Sequence, residues 1–420
     1  MSSDSIIPVS IRTNPFKSFD PACLPVDCAV PWSPYGLYLK ERPSFTLDPH
    51  FHAGAYYVQD ASAMMVGWMF RQILQKQEAF VRVLDLCAAP GGKTTDLAAS
   101  LREAFGPSFV LVSNEVIRQR AQTLLDNVAV WGDPNVIVTS SDPSDFASVK
   151  SYFDIIVADV PCSGEGMFRK SENARNMWSE DNVNLCAARQ RRIVADVWDA
   201  LAPGGIMIYS TCTLNGQEND GNVKWIASEL GGELLDFEMP FDGPRRTECG
   251  FLMVPGQVRG EGQYCAAIRK NGVPRPAVNA ASDGSVAMFD RSGELYALPD
   301  VIASQMPLLA KGAGGKRLKV LNAGVHAFTL KGRDRIPCAD LALSNLLDPD
   351  DFPSVELPLQ DALRFLHKDG FALPDAPMGY VVVTYDSLPL GFMKNLGNRA
   401  NNLHPSGRRI LMNVNKIRDI

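Results

Sequence analysis

The segment from Val81 to Leu97 constrains the fold of this chain more than any other part of the sequence. It opens with the apolar run Val-Arg-Val-Leu-Asp-Leu, long enough for one strand buried in a parallel sheet. Pro90-Gly91-Gly92 then predicts a turn, and from Lys93 onward Leu97 and Leu101 recur at helical spacing. Strand, glycine turn and helix together open the nucleotide-binding α/β units, in which a ligand approaches bare backbone at a helix N-terminus.

Two common phosphate-binding motifs, the P-loop and G-x-G-x-x-G, do not fit this segment. Gly92-Lys93-Thr94 imitates the end of a P-loop, but a P-loop requires glycine at position 87, where this chain has Cys87. The turn does not match G-x-G-x-x-G either. On this segment alone, a turn with a purely structural role in an α/β protein remains an alternative to a ligand-binding turn.

Alternating strand and helix patterns follow the first strand. Further strands are predicted at 109–112, 136–138, 153–158 and 206–209, and helices at 119–130 and 189–201. Strands that alternate with helical segments predict an α/β fold with a parallel sheet covered on both faces. Glu115, Asp142, Asp159 and Cys212 each come after one of these strands. Since open parallel sheets bind ligands at the carboxyl ends of their strands, we expect these residues to share one site.

The length of 420 residues, 46% of them hydrophobic, predicts more than one domain. Residues 1–60 read as an irregular cover segment and residues 61–270 as the α/β domain, with a helix expected at 62–75. A linker at 271–285 precedes a small α+β unit at 286–345 and a last unit at 346–420 with a strand at 380–385.

Composition excludes several classes of protein. The sequence has no run of about 18 apolar residues and no signal-peptide pattern, which predicts a soluble, cytoplasmic protein without membrane contact. Nine cysteines without a C-x-x-C pair argue against a disulfide framework or a zinc site. His50 and His52 have no acidic or cysteine partner at ligand spacing, so we expect no metal.

Charge is distributed unevenly along the chain. The net charge is −6, but residues 271–420 carry +2 and the first 270 residues −8. The stretch from 387 to 418 contains no carboxylate and six basic residues: Lys394, Arg399, Arg408, Arg409, Lys416 and Arg418. Such a stretch forms either a solvated face or a surface that follows nucleic-acid phosphates.

The residues after the strands favour a nucleoside cofactor. A carboxylate at Glu115 is placed to accept both ribose hydroxyls, and Asp142 is placed to receive an adenine amino group. Without a phosphate to hold, the loop Cys87-Ala88-Ala89-Pro90-Gly91-Gly92 can pack against a zwitterionic amino acid. Adenosine plus amino acid indicates S-adenosylmethionine. Either carboxylate alone could instead be a helix N-cap.

Two cysteines carry the more specific signal. Cys162 follows the fourth predicted strand in Asp159-Val-Pro-Cys-Ser-Gly-Glu-Gly166, and Cys212 follows the fifth in Ser210-Thr-Cys-Thr213. Those strands are neighbours in sheets of this class, so both thiols should face one cleft. A thiolate that adds to C6 of cytosine activates C5 for methylation, whereas adenine-N6 methylation needs no cysteine. Lys93 is a candidate for lowering the pKa of the attacking thiol.

Three motifs in this order resemble those of the Nol/Nop/Sun group of RNA cytosine-5 methyltransferases. They are Leu-Asp-Leu-Cys-Ala-Ala-Pro-Gly-Gly-Lys-Thr, Asp-Val-Pro-Cys-Ser-Gly-Glu-Gly and Tyr-Ser-Thr-Cys-Thr, within a resemblance that runs from about Val9 to Arg269. Segments 31–38, 50–65, 391–396 and 404–409 look most like the bacterial members that act on small-subunit ribosomal RNA. Family members usually carry a helical segment before Ser-Ile-Arg-Thr-Asn-Pro, whereas about nine residues precede it here.

The resemblance implies a Rossmann-like class I S-adenosylmethionine-dependent methyltransferase domain with a C-terminal PUA-like RNA-binding region. It also implies a role for each matched residue. Cys87 to Lys93, Glu115, Asp142 and Asp159 should contact S-adenosylmethionine, with Asp159 also facing the cytosine N3/N4 edge and Lys93 close by. Cys212 should be the nucleophile, and Cys162 should help to release the product.

The sequence therefore predicts 5-methylcytosine formation in ribosomal RNA by a monomer, with ribosomal RNA or the small ribosomal subunit as its partner. Transfer RNA as the substrate is the alternative with the same chemistry. A ribosome-assembly factor that binds RNA and no longer methylates is an alternative of another class, and the intact Cys162, Cys212 and Glu115 count against it.

Overall fold

The computed structural model describes residues 8–77, 80–165, 179–274, 282–311 and 317–412. Within these ranges the chain forms one large central sheet and three four-stranded sheets. Residues 275–281 of the predicted linker, Gly166 and the basic residues Lys416 and Arg418 lie outside the described residues.

The N-terminal residues form a small antiparallel sheet. Its strands, in spatial order, are β2 (Val26–Ala29), β3 (Gly36–Leu39), β1 (Val9–Thr13) and β4 (Tyr56–Val58), and the short helix α1 (Pro49–His52) precedes β4. Ile11, Leu39 and Tyr56 are buried in one cluster with Leu363 and Val381 from the C-terminal region. The predicted cover segment therefore shares a hydrophobic core with the end of the chain.

The central sheet contains the predicted parallel strands. In spatial order they are β7 (Val136–Thr139), β6 (Phe109–Asn114), β5 (Val81–Asp85), β8 (Phe153–Asp159) and β9 (Leu201–Thr211). Each strand contains three Val, Ile or Leu residues, and nearly all residues of the five strands are buried, as expected for strands covered on both faces. The prediction of a Rossmann-like sheet is confirmed.

Antiparallel strands extend this sheet on both sides. Beside β9 lies β13 (Gln263–Lys270), followed by β12 (Phe251–Met253) and β11 (Arg245–Arg246), while β10 (Gly232–Leu235) also pairs with β13. On the opposite edge β16 (Val320–Ala323) pairs with β7. Because β16 comes from the predicted 286–345 unit, that part of the chain is anchored on the central sheet.

Helices cover both faces of the central sheet. One face packs against α2 (Met64–Leu74), α3 (Gly92–Phe105) and α4 (Arg118–Trp131). The other packs against α5 (Glu180–Trp198), α6 (Asp220–Glu229) and α7 (Asp300–Lys311). The sequence placed the start of α5 at 189, but the helix begins earlier, where Ser179 caps it by accepting from the Asn182 N–H. In the described parts of the chain, no helix has the length and apolar character needed to cross a bilayer.

Two further sheets follow. The first consists of β14 (Val286–Arg291), β15 (Glu294–Pro299), β17 (Val325–Lys331) and β18 (Asp334–Pro337), and α8 (Ala339–Leu343) follows it. The second consists of β19 (Ser354–Glu356), β20 (Gly379–Tyr385), β21 (Leu388–Asn395) and β22 (Ala400–Asn402), with α9 (Leu359–His367) beside it. The strand predicted at 380–385 is β20.

The C-terminal end of α4 contacts both the N-terminal segment and the segment that follows α8. Asn14 donates to the Trp131 carbonyl over 3.1 Å, and the Asn345 N–H donates to the Gly132 carbonyl over 3.0 Å. Gly132 has a φ of +88°, and a Cβ there would lie 2.1 Å from the Leu343 carbonyl oxygen. Only glycine permits both this backbone conformation and this close approach.

Candidate active site

The predicted site residues lie at one edge of the central sheet. Asp159 ends β8, while Glu115 and Cys212 directly follow β6 and β9. Asp142 lies three residues beyond β7. These strands are parallel neighbours on either side of β5, so their carboxyl ends place the four side chains along the same rim.

Cys162 and Cys212 lie side by side at this rim. Their Sγ atoms are 2.8 Å apart, whereas a disulfide would bring them to about 2.05 Å, and both cysteines are free. The contact is a hydrogen bond between the two sulfurs, in which one holds a proton and the other accepts it. When one of the two thiols is ionised, the sulfurs therefore share the proton of the other.

The surroundings of the two thiols are unequal. The hydrogen bond from Cys162 lowers the pKa of Cys212, and the positive charge of Lys93 adds to this effect against burial and the charge of Asp159. The pKa of Cys162 is raised well above its ordinary value by the same hydrogen bond, by burial and by the charge on Cys212. These surroundings favour a thiolate at Cys212 and a neutral thiol at Cys162.

Lys93 and Asp159 form an ion pair beside the thiols. Lys93 Nζ lies 2.8 Å from Asp159 Oδ2, and both side chains are largely buried. Burial would lower the pKa of Lys93, but the Asp159 carboxylate outweighs it and raises that pKa. Lys93 therefore stays charged and keeps its influence on Cys212.

Gln263 completes the surroundings of Asp159, and the sequence analysis missed it. Asp159 Oδ1 accepts hydrogen bonds from Ser210 Oγ at 2.9 Å and from Gln263 Nε2 at 3.0 Å. Gln263 Nε2 also donates to the Thr211 carbonyl at 3.0 Å. Its only sequence signal is an amide at the first position of the apolar strand β13.

The loop from Cys87 to Lys93 connects β5 to α3. Gly91 has a φ of +113°, a left-handed conformation that glycine adopts without strain. Arg120 donates to the Ala89 carbonyl at 2.8 Å, and Asn127 donates to the Pro90 carbonyl at 2.7 Å, so α4 holds the loop in place. Burial raises the pKa of Cys87, so this thiol stays neutral and serves as a wall of the loop.

Glu115 and Asp142 both accept a hydrogen bond from a nearby backbone N–H, but only Asp142 caps a helix. Glu115 is buried, accepts from the Ile117 N–H at 2.9 Å and lies 3.2 Å from Arg120 Nη1. Asp142 is exposed and accepts from the Ser144 N–H at 3.0 Å at the start of a short 3-10 helix. The capping alternative therefore holds for Asp142 and not for Glu115, which precedes Ile117, the N-cap residue of α4.

Asp85, at the end of β5, was also missed by the sequence analysis. It is fully buried, Oδ2 accepts from Thr94 Oγ1 at 2.6 Å, and Oδ1 has no hydrogen-bond partner among the described residues. Burial raises its pKa to about 7. An unpaired buried acceptor beside the Cys87–Lys93 loop suits a cationic donor such as the ammonium group of an amino acid. Like Glu115, Asp85 lies at the carboxyl end of a central strand, and this position is its signal in the sequence.

Part of the predicted basic C-terminal face is used inside the molecule. Arg408 is largely buried and pairs with Asp126 of α4 at 3.1 Å and with Asp340 of α8 at 2.7 Å. Lys394 lies 3.6 Å from Asp334. Arg399 and Arg409 are exposed. The carboxylates that are missing from the local sequence are therefore supplied by distant segments.

Three family models match successive parts of the chain. Residues 2–61 match the N-terminal domain of 16S rRNA methyltransferase RsmF, residues 71–269 match 16S rRNA methyltransferase RsmB/F, and residues 352–410 match the methyltransferase RsmF PUA domain. The predicted C-terminal PUA-like region is thereby confirmed as a member of that domain family.

Similar proteins are known in several bacteria. Ribosomal RNA small subunit methyltransferase F of Cronobacter sakazakii is 32% identical, with 90% of this chain and 83% of that protein covered. The protein of the same name from Pectobacterium atrosepticum is 29% identical, and the match again covers 90% of this chain and 83% of that protein.

Solved structures share the fold. A methyltransferase homologue from Pyrococcus horikoshii is 27% identical with a TM-score of 0.54, covering 64% of this chain and 88% of that one. NSun6 from Pyrococcus horikoshii with SFG has a TM-score of 0.53 at 19% identity, covering 64% of this chain and 92% of that one, a likeness of fold alone.

Proposed function

The chain belongs to the 16S rRNA methyltransferase RsmB/F family, and we propose that it transfers a methyl group from S-adenosylmethionine to C5 of a cytosine in small-subunit ribosomal RNA. The name of the relatives supports ribosomal RNA as the substrate. The observation that carries the choice of cytosine C5 is the contact of 2.8 Å between the sulfurs of Cys162 and Cys212. Methylation of an exocyclic amino group would not require two thiols.

Cys212 acts as the nucleophile. Its thiolate, favoured by Cys162 and Lys93, adds to C6 of the cytosine, and the electron density displaced by the new C–S bond makes C5 nucleophilic. S-adenosylmethionine supplies the methyl group as an electrophile. Asp159, held by Ser210 and Gln263, faces the N3/N4 edge of the base and orients it.

Cys162 assists the release of the product. Once C5 carries the methyl group, its remaining proton must pass to a base, and the C6–S bond then breaks with its electron pair returning to Cys212. The C5–C6 double bond is restored in this step. Cys162 lies within hydrogen-bond distance of the departing sulfur and can deliver or take up a proton there.

The cofactor would be held by the residues along the sheet edge. The Cys87–Lys93 loop and the unpaired Oδ1 of Asp85 suit the amino-acid end, and Glu115 suits the ribose hydroxyls. Val116 and Ile117 follow Glu115 and are about half exposed, so an apolar surface is available there for an adenine ring. Asp142 would lie at the outer end of the same edge.

The test is methyl transfer from tritiated S-adenosylmethionine to RNA isolated from cells that lack the gene. Small-subunit ribosomal RNA, assembled small subunits and transfer RNA are offered separately, and the labelled nucleoside is identified after digestion. We expect 5-methylcytidine from ribosomal RNA or small subunits and no label with the Cys212→Ala variant. Label in transfer RNA alone would change the substrate, another labelled nucleoside would refute the chemistry, and no transfer would favour an assembly factor.

A further inference from the structure

We propose that Glu218 is a positioning residue that decides which of the two thiols keeps their shared proton, holding it on Cys162. Glu218 lies six residues beyond Cys212, just before α6, and is fully buried. The inference rests on the proposed thiol chemistry and names a second group, besides Lys93, that makes the two sulfurs unequal.

The carboxylate of Glu218 lies beneath the turn that carries Cys162. Its Oε2 accepts from the Ser163 N–H at 3.1 Å and from Gln190 Nε2 at 2.6 Å, and its Oε1 accepts from Asn215 Nδ2 at 2.7 Å. Ser163 is the residue next to Cys162, so the first of these hydrogen bonds fixes the backbone of the cysteine turn. No Lys or Arg of the described ranges forms an ion pair with Glu218.

The donors around Glu218 cannot turn away from it. Gln190 Oε1 accepts from Tyr209 OH at 3.0 Å and from Asn222 Nδ2 at 2.7 Å, which leaves Nε2 to face Glu218 and the Pro161 carbonyl. This arrangement calls for an acceptor at position 218, and an ionised carboxylate is an acceptor only. Since three neutral donors stabilise the charge without neutralising it, the field of the carboxylate reaches the neighbouring thiol.

Asn215 ties the two cysteine segments together. Its Oδ1 accepts from the Glu218 N–H at 2.9 Å, and its Nδ2 donates to Thr213 Oγ1 at 2.8 Å. Thr213 Oγ1 in turn lies 3.1 Å from Ser163 Oγ. The residues that follow each cysteine are thus joined around the Glu218 carboxylate, which sets the spacing of the two sulfurs.

The charges on the two sides of the thiol pair are opposite. Lys93 acts on Cys212 and lowers its pKa, secondary to the hydrogen bond from Cys162. Glu218 acts on Cys162 and raises its pKa, after the hydrogen bond to Cys212 and burial. Asp159 raises the pKa of Cys212, so Lys93 and Glu218 act together against its effect on the order of ionisation. Tyr209 also faces Cys162 and stays neutral because burial raises its pKa.

Alkylation by iodoacetamide reads this order directly, because the thiolate is the reacting form. The full-length protein is treated at pH 6 to 9 without RNA or S-adenosylmethionine, and the modification of each cysteine is followed by peptide mass spectrometry. We expect the wild-type protein to react mainly at Cys212. In Glu218→Gln the ratio of Cys212 to Cys162 modification should fall by about threefold or more, since loss of the carboxylate charge lets Cys162 ionise more readily.

Two further variants sharpen the experiment. Glu218→Asp keeps the negative charge on a side chain that is shorter by one methylene. Its ratio of Cys212 to Cys162 modification should therefore lie between those of the wild type and Glu218→Gln. Glu165→Gln removes the charge of a neighbouring carboxylate but keeps an oxygen for Asn215 Nδ2, which lies 3.3 Å from Glu165 Oε1. Glu165 accepts from the Leu214 N–H at 3.1 Å and not from Ser163 beside Cys162, so the ratio in this variant should match the wild type. Circular dichroism confirms that each variant is folded, and if Glu218→Gln is not, Glu218→Asp carries the comparison.

Three outcomes overturn the inference: a wild-type protein that reacts mainly at Cys162, an unchanged ratio in folded Glu218→Gln or Glu218→Asp, or an equal fall in Glu165→Gln. The alkylation experiment requires neither RNA nor S-adenosylmethionine. A protein with the expected ratios that fails to methylate RNA would therefore refute the proposed function and leave the role of Glu218 standing.

Discussion

Arg12 donates through Nη2 to the carbonyl oxygen of Gly92, 3.2 Å away, and so joins the N-terminal sheet to the first residue of α3. Arg12 is fully buried, its Nε donates to Gln59 Oε1 at 2.9 Å, and its guanidinium lies 4.6 Å from the ring of Trp131. Gly92 directly precedes Lys93. The N-terminal sheet is therefore connected to the residue that favours the Cys212 thiolate.

Replacing Arg12 by Met should destabilise the protein by about 3 kcal/mol, because the buried Gln59 Oε1 loses its donor and the Gly92 carbonyl keeps only Thr95 Oγ1 as a side-chain donor. Asp96, 4.0 Å from Arg12, keeps Arg71 at 3.0 Å as a partner, which limits the loss. Urea unfolding followed by circular dichroism measures the change.

The matched control is Arg259→Met. Arg259 pairs with Asp27 at 2.7 Å, but both side chains are well exposed, so the loss should stay below about 1 kcal/mol. Equal losses in the two variants would show that Arg12 does not connect the sheet to α3 in the way its contacts indicate.

Glu115→Ala should weaken S-adenosylmethionine binding by about 2 kcal/mol, because a charge-assisted hydrogen bond to ribose is lost. The same substitution removes the acceptor of the Ile117 N–H. Glu115→Gln keeps an acceptor for that N–H, so comparing the two variants separates ribose binding from the loss of this backbone hydrogen bond. Titration calorimetry that finds unchanged affinity in folded Glu115→Ala would exclude the ribose assignment.

Asp85 should make the stability depend on pH. Burial raises its pKa from 3.8 to about 7 on folding, so the folded state binds more protons than the unfolded state between these values. The contribution of Asp85 to the free energy of unfolding therefore falls as pH rises through this window and is constant above it. Asp85→Asn lacks this dependence.

Urea unfolding of both proteins between pH 4 and 8 gives the comparison. The wild type should lose stability relative to Asp85→Asn as pH rises, and saturating S-adenosylmethionine should reduce that loss. Asp375→Asn, which changes an exposed carboxylate, controls for net charge. A constant difference across the pH range would refute the burial argument.

The fold and much of the site followed from local sequence. Apolar strands alternating with helical segments specify a parallel sheet, and the carboxyl ends of such strands meet at one edge. This is why Glu115, Asp159, Cys162 and Cys212 could be placed together before their distances were known. The glycine turn before Lys93 likewise needed no information from outside its own segment.

The remaining features depend on contacts between distant segments. Gln263 reaches Asp159 because β13 joins the sheet antiparallel beside β9, and no periodicity in the sequence gives that register. Arg408 and Asp126 are 282 residues apart in the chain, so a stretch without carboxylates still contains a neutralised arginine. Local charge patterns do not predict such pairs.

Arg399 and Arg409 are the exposed members of the basic C-terminal stretch within the described residues. Replacing both by Ala should flatten the salt dependence of RNA binding by about 1.5 in the logarithmic slope, since each phosphate contact contributes about 0.7 to 0.9. Arg408→Ala is the control, because its pairs with Asp126 and Asp340 make it a structural residue. Filter binding at several salt concentrations gives the slopes, and an unchanged slope in the double variant would make this face structural.

The two cysteines should differ in what their removal leaves behind. Cys212→Ala has no sulfur that can add to C6 and should be inactive without forming a covalent species. Cys162→Ala keeps the nucleophile but loses the group 2.8 Å away that assists its departure. This variant should methylate and then remain attached to RNA.

A protein–RNA band that survives denaturing gel electrophoresis measures this difference. We expect the band with Cys162→Ala in the presence of S-adenosylmethionine and ribosomal RNA, and its absence with Cys212→Ala and with the double variant Cys162→Ala, Cys212→Ala. The double variant is the control, because a band there would come from another residue. The opposite assignment, in which Cys162 attacks, predicts the band in Cys212→Ala instead. Lys93 and Glu218 argue against that assignment, since the first favours the charged form of Cys212 and the second disfavours the charged form of Cys162.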